Sequence, residues 1–191
     1  MNAHETWIAG ALGDLDAAHL RRRMAVRPGA GGWVDSGGRR LLNLASNDYL
    51  ALASHPHVVA EARRALEAYG AGATASRLVC GHLPCHEELE RRLAALKHCP
   101  AALVFASGFA ANTGIVPALC GRDDRVFADR LAHASLLDGI RLSGATLHRF
   151  HHNDAAHLGD LLRKAPAKGR RLVVTESVFS MDGDLAPLPG I

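Results

Sequence analysis

Three short stretches of this sequence hold residues whose types and positions suit ligand chemistry. Ser107-Gly108-Phe109 stands where an apolar run, Ala102 to Ala106, gives way to helical spacing from Phe109 to Cys120. The first N–H groups of a helix have no partner within it and lie at the positive end of its dipole, and a glycine there lets an anion approach the backbone. This is chemistry for a phosphate, although a glycine at such a turn can also serve steric ends alone. His133 follows another apolar run, Arg125 to Ala128, and precedes a helical segment that Ser135 is expected to cap. Thr175 to Gly183 follows a third run, Arg171 to Thr175, with Asp182-Gly183 as a turn signal. In an open parallel sheet the ligand crevice lies beyond the carboxyl ends of the strands, so all three stretches are expected at one mouth.

Other groups are less telling. Cys80, Cys85, Cys99 and Cys120 lack C-x-x-C spacing and read as buried or idle thiols rather than a zinc site or disulfide framework. His148, His151, His152 and His157 lack the i, i+4 pairing of a helical zinc site and read as solvent-exposed, with no metal expected. Arg21-Arg22-Arg23 closes an amphipathic segment, where cations complement the negative end of a helix dipole. The same cluster could grip a carboxylate or a coenzyme A phosphate.

The elements that position these groups follow from apolar periodicity. Trp7, Ile8, Leu12, Leu15 and Leu20 predict an arm helix over 4–23, ended by Pro28, Gly29, Gly31 and Gly32. Trp33-Val34 and Leu41 to Ala45 flank Asp35-Ser36-Gly37-Gly38 and predict a hairpin. Ser54 before Pro56 predicts a helix start and Gly70 its stop, while Leu89, Leu93 and Leu96 mark a further helix. Beyond Pro100, strands at 102–106, 125–128, 146–150 and 171–175 alternate with helices at 109–120, 135–142 and 154–163. That alternation implies right-handed crossovers and a parallel sheet covered on both faces, here of four strands, in an α/β fold. So small a sheet is expected to be one part of a larger one.

Bulk composition sets the frame. The 191 residues are 48% hydrophobic and 21% charged, as in ordinary globular chains, and the net charge of +3 gives no support to a nucleic-acid or anionic-membrane partner. No apolar run approaches a membrane span, so a cytoplasmic location is expected. Of the 22 basic residues only Lys97, Lys164 and Lys168 are lysines.

The run Asn43-Leu44-Ala45-Ser46-Asn47-Asp48-Tyr49-Leu50 resembles the S-N-D-Y-L signature of the α-oxoamine synthase family of pyridoxal-phosphate (PLP) enzymes. Further similar motifs follow in family order: residues 70–81 (GAGATASRLVCG), 107–112 (SGFAAN), 133–139 (HASLLDG), 152–154 (HND) and 175–188 (TESVFSMDGDLAPL). The resemblance implies part of a type I PLP-enzyme large domain over 49–191, incomplete here, preceded by an arm and hairpin over 1–48. It also implies a homodimer with active sites at the subunit interface. Within the family, Ser107-Gly108-Phe109, the Arg21 to Arg23 cluster and the HASLLDG wording look most like the branch that condenses L-alanine with a pimeloyl thioester of coenzyme A or acyl carrier protein, in biotin biosynthesis. A glycine C-acetyltransferase-like relative is the alternative, as is a non-catalytic binding module.

Carried over by position, the resemblance implies that Gly108 and Phe109 hold the PLP phosphate and that His133 stacks on the pyridine ring beside the substrate. It implies Ser180 at the ring-oxygen side with Glu176 in support, Asn47 and Arg21 facing the substrate, and Ser76 near the neighbouring subunit's phosphate. Ala73-Thr74-Ala75 departs from the family's glycine-rich pattern beside Ser76. The family's D-x-A-H segment and PLP-binding lysine are expected past Ile191, so the chain is expected to be an N-terminal fragment that is inactive alone and poorly stable.

Overall fold

A computed structural model describes residues 3–26, 32–166 and 168–191. Pro28, Gly29 and Gly31, expected to break the arm helix, lie outside the described residues. The chain divides into two compact units, Met1–Leu83 and Pro84–Ile191.

In the first unit, helix α1 covers Ala3–Ala17, shorter than the 4–23 expected. His19 takes a positive φ of 55°, and the N–H groups of Leu20 and Arg21 both turn back to the Leu15 carbonyl, so the helix is over before the arginines. Arg21 and Arg23 instead pair with Asp16 in the last turn, at 2.5 and 3.2 Å, so they neutralise a carboxylate rather than cap a dipole. Strands β1 (Trp33–Ser36) and β2 (Arg39–Leu42) pair antiparallel. Gly37 and Gly38 join them at φ 58° and 74°, a two-residue turn that side chains with a Cβ adopt poorly. Helix α2 runs Pro56–Tyr69 and stops at Gly70, φ 77°. Its cap is His55 rather than the expected Ser54, because Pro56 fills the first helical position and only the residue directly before it can cap. The His55 ring nitrogen accepts from the His57 N–H at 3.3 Å.

The second unit contains helices α3 (Pro84–Leu96), α4 (Gly108–Leu119), α5 (Ala134–Ser143) and α6 (Ala155–Lys164), with strands β3 (Arg125–Asp129), β4 (Thr146–Phe150) and β5 (Arg171–Val174). The strands form one parallel sheet in the order β4-β3-β5. Alternation along β3 feeds two cores. Val126 and Ala128 pack with Val116 and Ile140 on the α4–α5 side, while Phe127 packs with Phe150 and Leu158 on the α6 side. Each buried phenylalanine adds roughly 2–3 kcal/mol of burial free energy, which makes β3 the spine of the unit. On the first side, Gly139 lets α5 meet α4 backbone to backbone, since a Cβ there would lie 2.5 Å from the Asn112 carbonyl oxygen.

The expected strand at 102–106 forms no ladder among the described residues, leaving three parallel strands rather than four. The N–H of Val104 donates to the Glu90 carboxylate at 2.8 Å instead, and Leu103 and Phe105 stay substantially exposed. No described helix is long and apolar enough to cross a membrane. All four cysteines are unpaired, with Cys120 buried.

Candidate active site

The site lies at the carboxyl ends of β3 and β5, within the second unit. Ser107 caps α4 by accepting the Ala110 N–H on Oγ at 3.1 Å. The Gly108 and Phe109 N–H groups ahead of it have no partner within the helix, as at any helix start. Both residues line a cavity of about 450 Å³ with Asn112, His133, Ser135, Leu136, Thr175 and Glu176. Apart from its chain neighbours and the backbone of its own helix, no heavy atom lies within 4 Å of where a Gly108 Cβ would stand, so the approach is open. Buried at the same wall is the Thr175 Oγ1 hydroxyl, without a hydrogen-bond partner.

His133 is itself the cap of α5, not Ser135 as expected: its Nδ1 accepts the Ser135 backbone N–H at 3.2 Å. The ring of a histidine two residues before the donor reaches the helix start, while the Ser135 hydroxyl is turned inward and fully buried. The His133 backbone N–H donates to Glu176 Oε1 at 2.6 Å, which ties the end of β5 to the β3–α5 loop. A second cavity of about 510 Å³ adjoins, lined by His133, Glu176, Phe179, Ser180 and Asp182 among others. Gly108, Phe109, His133, Glu176 and Ser180 thus surround two adjoining cavities that share His133 and Glu176. Arg21 and Asn47 belong to the first unit. Asn43, Ser46 and Asp48 each spend a side-chain oxygen on a nearby backbone N–H, whereas Asn47 Oδ1 accepts from the Tyr49 hydroxyl, at 3.4 Å.

Beneath Ser180 lies a polar clasp that the sequence showed only as a three-residue motif. Residues 177–186 fold back on themselves through a Val178–Leu185 bridge and a turn at Gly183, φ 73°. His152 stands between two carboxylates, Nδ1 at 2.9 Å from Asp129 and Nε2 at 2.8 Å from Asp184, with the buried Phe179 ring edge-on to it at 4.5 Å. Asn153 donates its side-chain N–H to Asp184 at 2.7 Å and its backbone N–H to Asp129 at 2.9 Å. His152 and His148 are therefore not the exposed residues expected; His148 stacks on Phe127 at 5.0 Å. His157 lies in α6, and its Nδ1 accepts the His151 backbone N–H at 3.0 Å.

Hydrogen bonds from Asp129 and then Asp184 raise the His152 pKa above its ordinary 6.5. Burial pushes Asp129 upward, but the Asn153 and Leu131 N–H groups and His152 outweigh it and leave the carboxyl below its ordinary 3.8. A histidine raised by folding stabilises fully below its unfolded value, and that stability is lost as pH rises through the folded value. The carboxylate behaves oppositely, losing its contribution as pH falls below 3.8. The melting temperature is therefore expected to fall as pH climbs from 6.5 into the alkaline range, and His152→Gln is expected to flatten that slope in thermal melts.

The model of the class I and II aminotransferases matches residues 39–191. The chain belongs to this family. Pyridoxal phosphate is the family's cofactor. The chain is 49% identical, over its whole length, to the 8-amino-7-oxononanoate synthase of Beijerinckia indica, of which it covers 50%. It is 54% identical over 95% of its length to the enzyme of that name from an Anaeromyxobacter species, covering 46% of it. It therefore spans about half the length of these relatives. Among solved structures, serine palmitoyltransferase from S. paucimobilis with a bound PLP–myriocin aldimine superposes with a TM-score of 0.88 at 29% identity, over 100% of this chain and 49% of that one. The class I and II aminotransferase fold accounts for the parallel sheet and its flanking helices.

Proposed function

We propose that this chain supplies one half of a PLP site for the decarboxylative condensation of L-alanine with a pimeloyl thioester, of coenzyme A or a carrier protein. The observation that carries the reading is the convergence of the α4 N-terminus, His133 and Ser180 on adjoining cavities, in a chain about half identical to 8-amino-7-oxononanoate synthases. The residues fit the cofactor: two unclaimed N–H groups at a helix start suit its phosphate, and the cavity is of ligand size.

In this proposal Gly108 and Phe109 bind the phosphate, His133 lies against the ring, and Ser180 contacts the ring-oxygen side. Glu176 acts through His133, holding its backbone. For Arg21 and Asn47 as substrate contacts, and Ser76 as a contact across a homodimer, the support is sequence resemblance. PLP, when bound, supplies an electron sink for the amino-acid carbon, while the protein provides orientation and exclusion of water. Among the described residues no lysine lines either cavity, so this chain is proposed to hold PLP without a covalent bond.

A polypeptide that contains this chain and spans the full length of its relatives is expected to release thiol from pimeloyl-CoA only when L-alanine and PLP are present. Faster release from acetyl-CoA with glycine, or from palmitoyl-CoA with serine, would overturn the substrate assignment in favour of another α-oxoamine synthase.

A further inference from the structure

Two donors converge on one nitrogen of the His133 ring. The backbone N–H of Ser135 points at Nδ1 from 3.2 Å, and the Ser135 hydroxyl lies 2.7 Å from the same atom. A backbone N–H cannot reverse its role, so it biases the ring toward a lone pair on Nδ1 and a proton on Nε2. The hydroxyl is then a second donor to Nδ1, and its oxygen is filled from behind by the Asn112 side-chain N–H at 2.9 Å. Ser135 is fully buried, between the half-buried Asn112 and the exposed His133, and Glu176 fixes the same histidine through its backbone.

We propose that Ser135 and Asn112 are positioning residues that lock His133 as the Nε2–H tautomer, so that the ring meets a ligand as a hydrogen-bond donor and not as a base. The tautomer follows from protein atoms alone; its consequence for PLP rests on the cofactor reading above.

Long-range proton–nitrogen correlation spectra of the chain labelled with 15N-histidine test it, with His133 assigned by its loss in His133→Gln. At neutral pH, Nδ1 is expected to resonate as a pyridine-type nitrogen and Nε2 as a pyrrole-type one. Ser135→Ala is expected to draw the two resonances together, shifting the tautomer ratio about tenfold, the worth of one hydrogen bond, and to weaken PLP binding by a similar factor. Ser135→Thr keeps the hydroxyl and is expected to restore both. A wild-type His133 protonated on Nδ1 overturns the proposal whether or not the variants fold, as does a folded Ser135→Ala with unmoved resonances. The expected tautomer together with no PLP binding in any form supports the positioning role and overturns the cofactor reading instead.

Discussion

Gly108→Glu is expected to weaken PLP binding by roughly 100-fold or more while leaving the fold intact. The phosphate is proposed to sit on the Gly108 and Phe109 N–H groups, and a carboxylate there would face it at close range. Two like charges about 4 Å apart cost about 4 kcal/mol at the dielectric of a protein surface, and each 1.4 kcal/mol is about tenfold in affinity. The side chain has room, because beyond its chain neighbours and its own helix backbone nothing lies within 4 Å of the Cβ position. Gly108→Ala, which adds bulk without charge, is expected to bind within about threefold of the parent chain, since a helix start tolerates alanine. Equilibrium dialysis of PLP against the three proteins separates the charge effect from a steric one; equal weakening by alanine and glutamate would remove the phosphate from this turn.

Asp129→Ala is expected to cost about 4 kcal/mol of stability, the largest effect of any single change outside the apolar core. The side chain is fully buried at the end of the central strand, where its two oxygens hold the N–H groups of Leu131 and Asn153 and one nitrogen of His152. Removing one partner of such a buried set leaves the others desolvated and unpaired, typically at 3–5 kcal/mol. Against a usual domain stability of roughly 5–15 kcal/mol, that brings the unit close to unfolding. Denaturant titration followed by circular dichroism measures it. A midpoint unchanged from the parent chain would mean that the clasp does not anchor the 177–186 segment.

These effects fall where the sequence was unevenly readable. The α/β pattern could be read because β4 and the helices on either side repeat at clean periods, and the strand at 146–150 was placed to the residue. Segment 102–106 misled for the same reason: Leu103 and Phe105 alternate as a strand does, but a strand exists only with a ladder partner, and Glu90 takes the Val104 N–H first. The arm helix ends before the reach of its apolar periodicity, which runs on to Leu20, because Asp16 draws the arginines out of helical register. At the candidate site, His133 and Thr175 to Gly183 follow β3 and β5 as the strand-end rule expects, whereas Gly108 lines the same cavity although the run before it forms no ladder. The clasp could not be read, since Asp129 falls just past the strand read at 125–128 and Asp184 lies 55 residues further on; only folding brings both to His152. Nor could the order of caps at α5 be read, because a histidine and a serine two residues apart are both plausible caps until the ring is seen to take the serine's own N–H.

The central claim is that the start of α4, His133 and Ser180 form one PLP-binding mouth, and amide shift mapping during a PLP titration tests it most directly. The largest saturable changes are predicted at the Gly108 and Phe109 N–H groups, with smaller ones at His133 and Ser180. Saturable changes centred on the α3 groove lined by Glu87, Glu90 and Arg91, or none at residues 108 and 109, would contradict it.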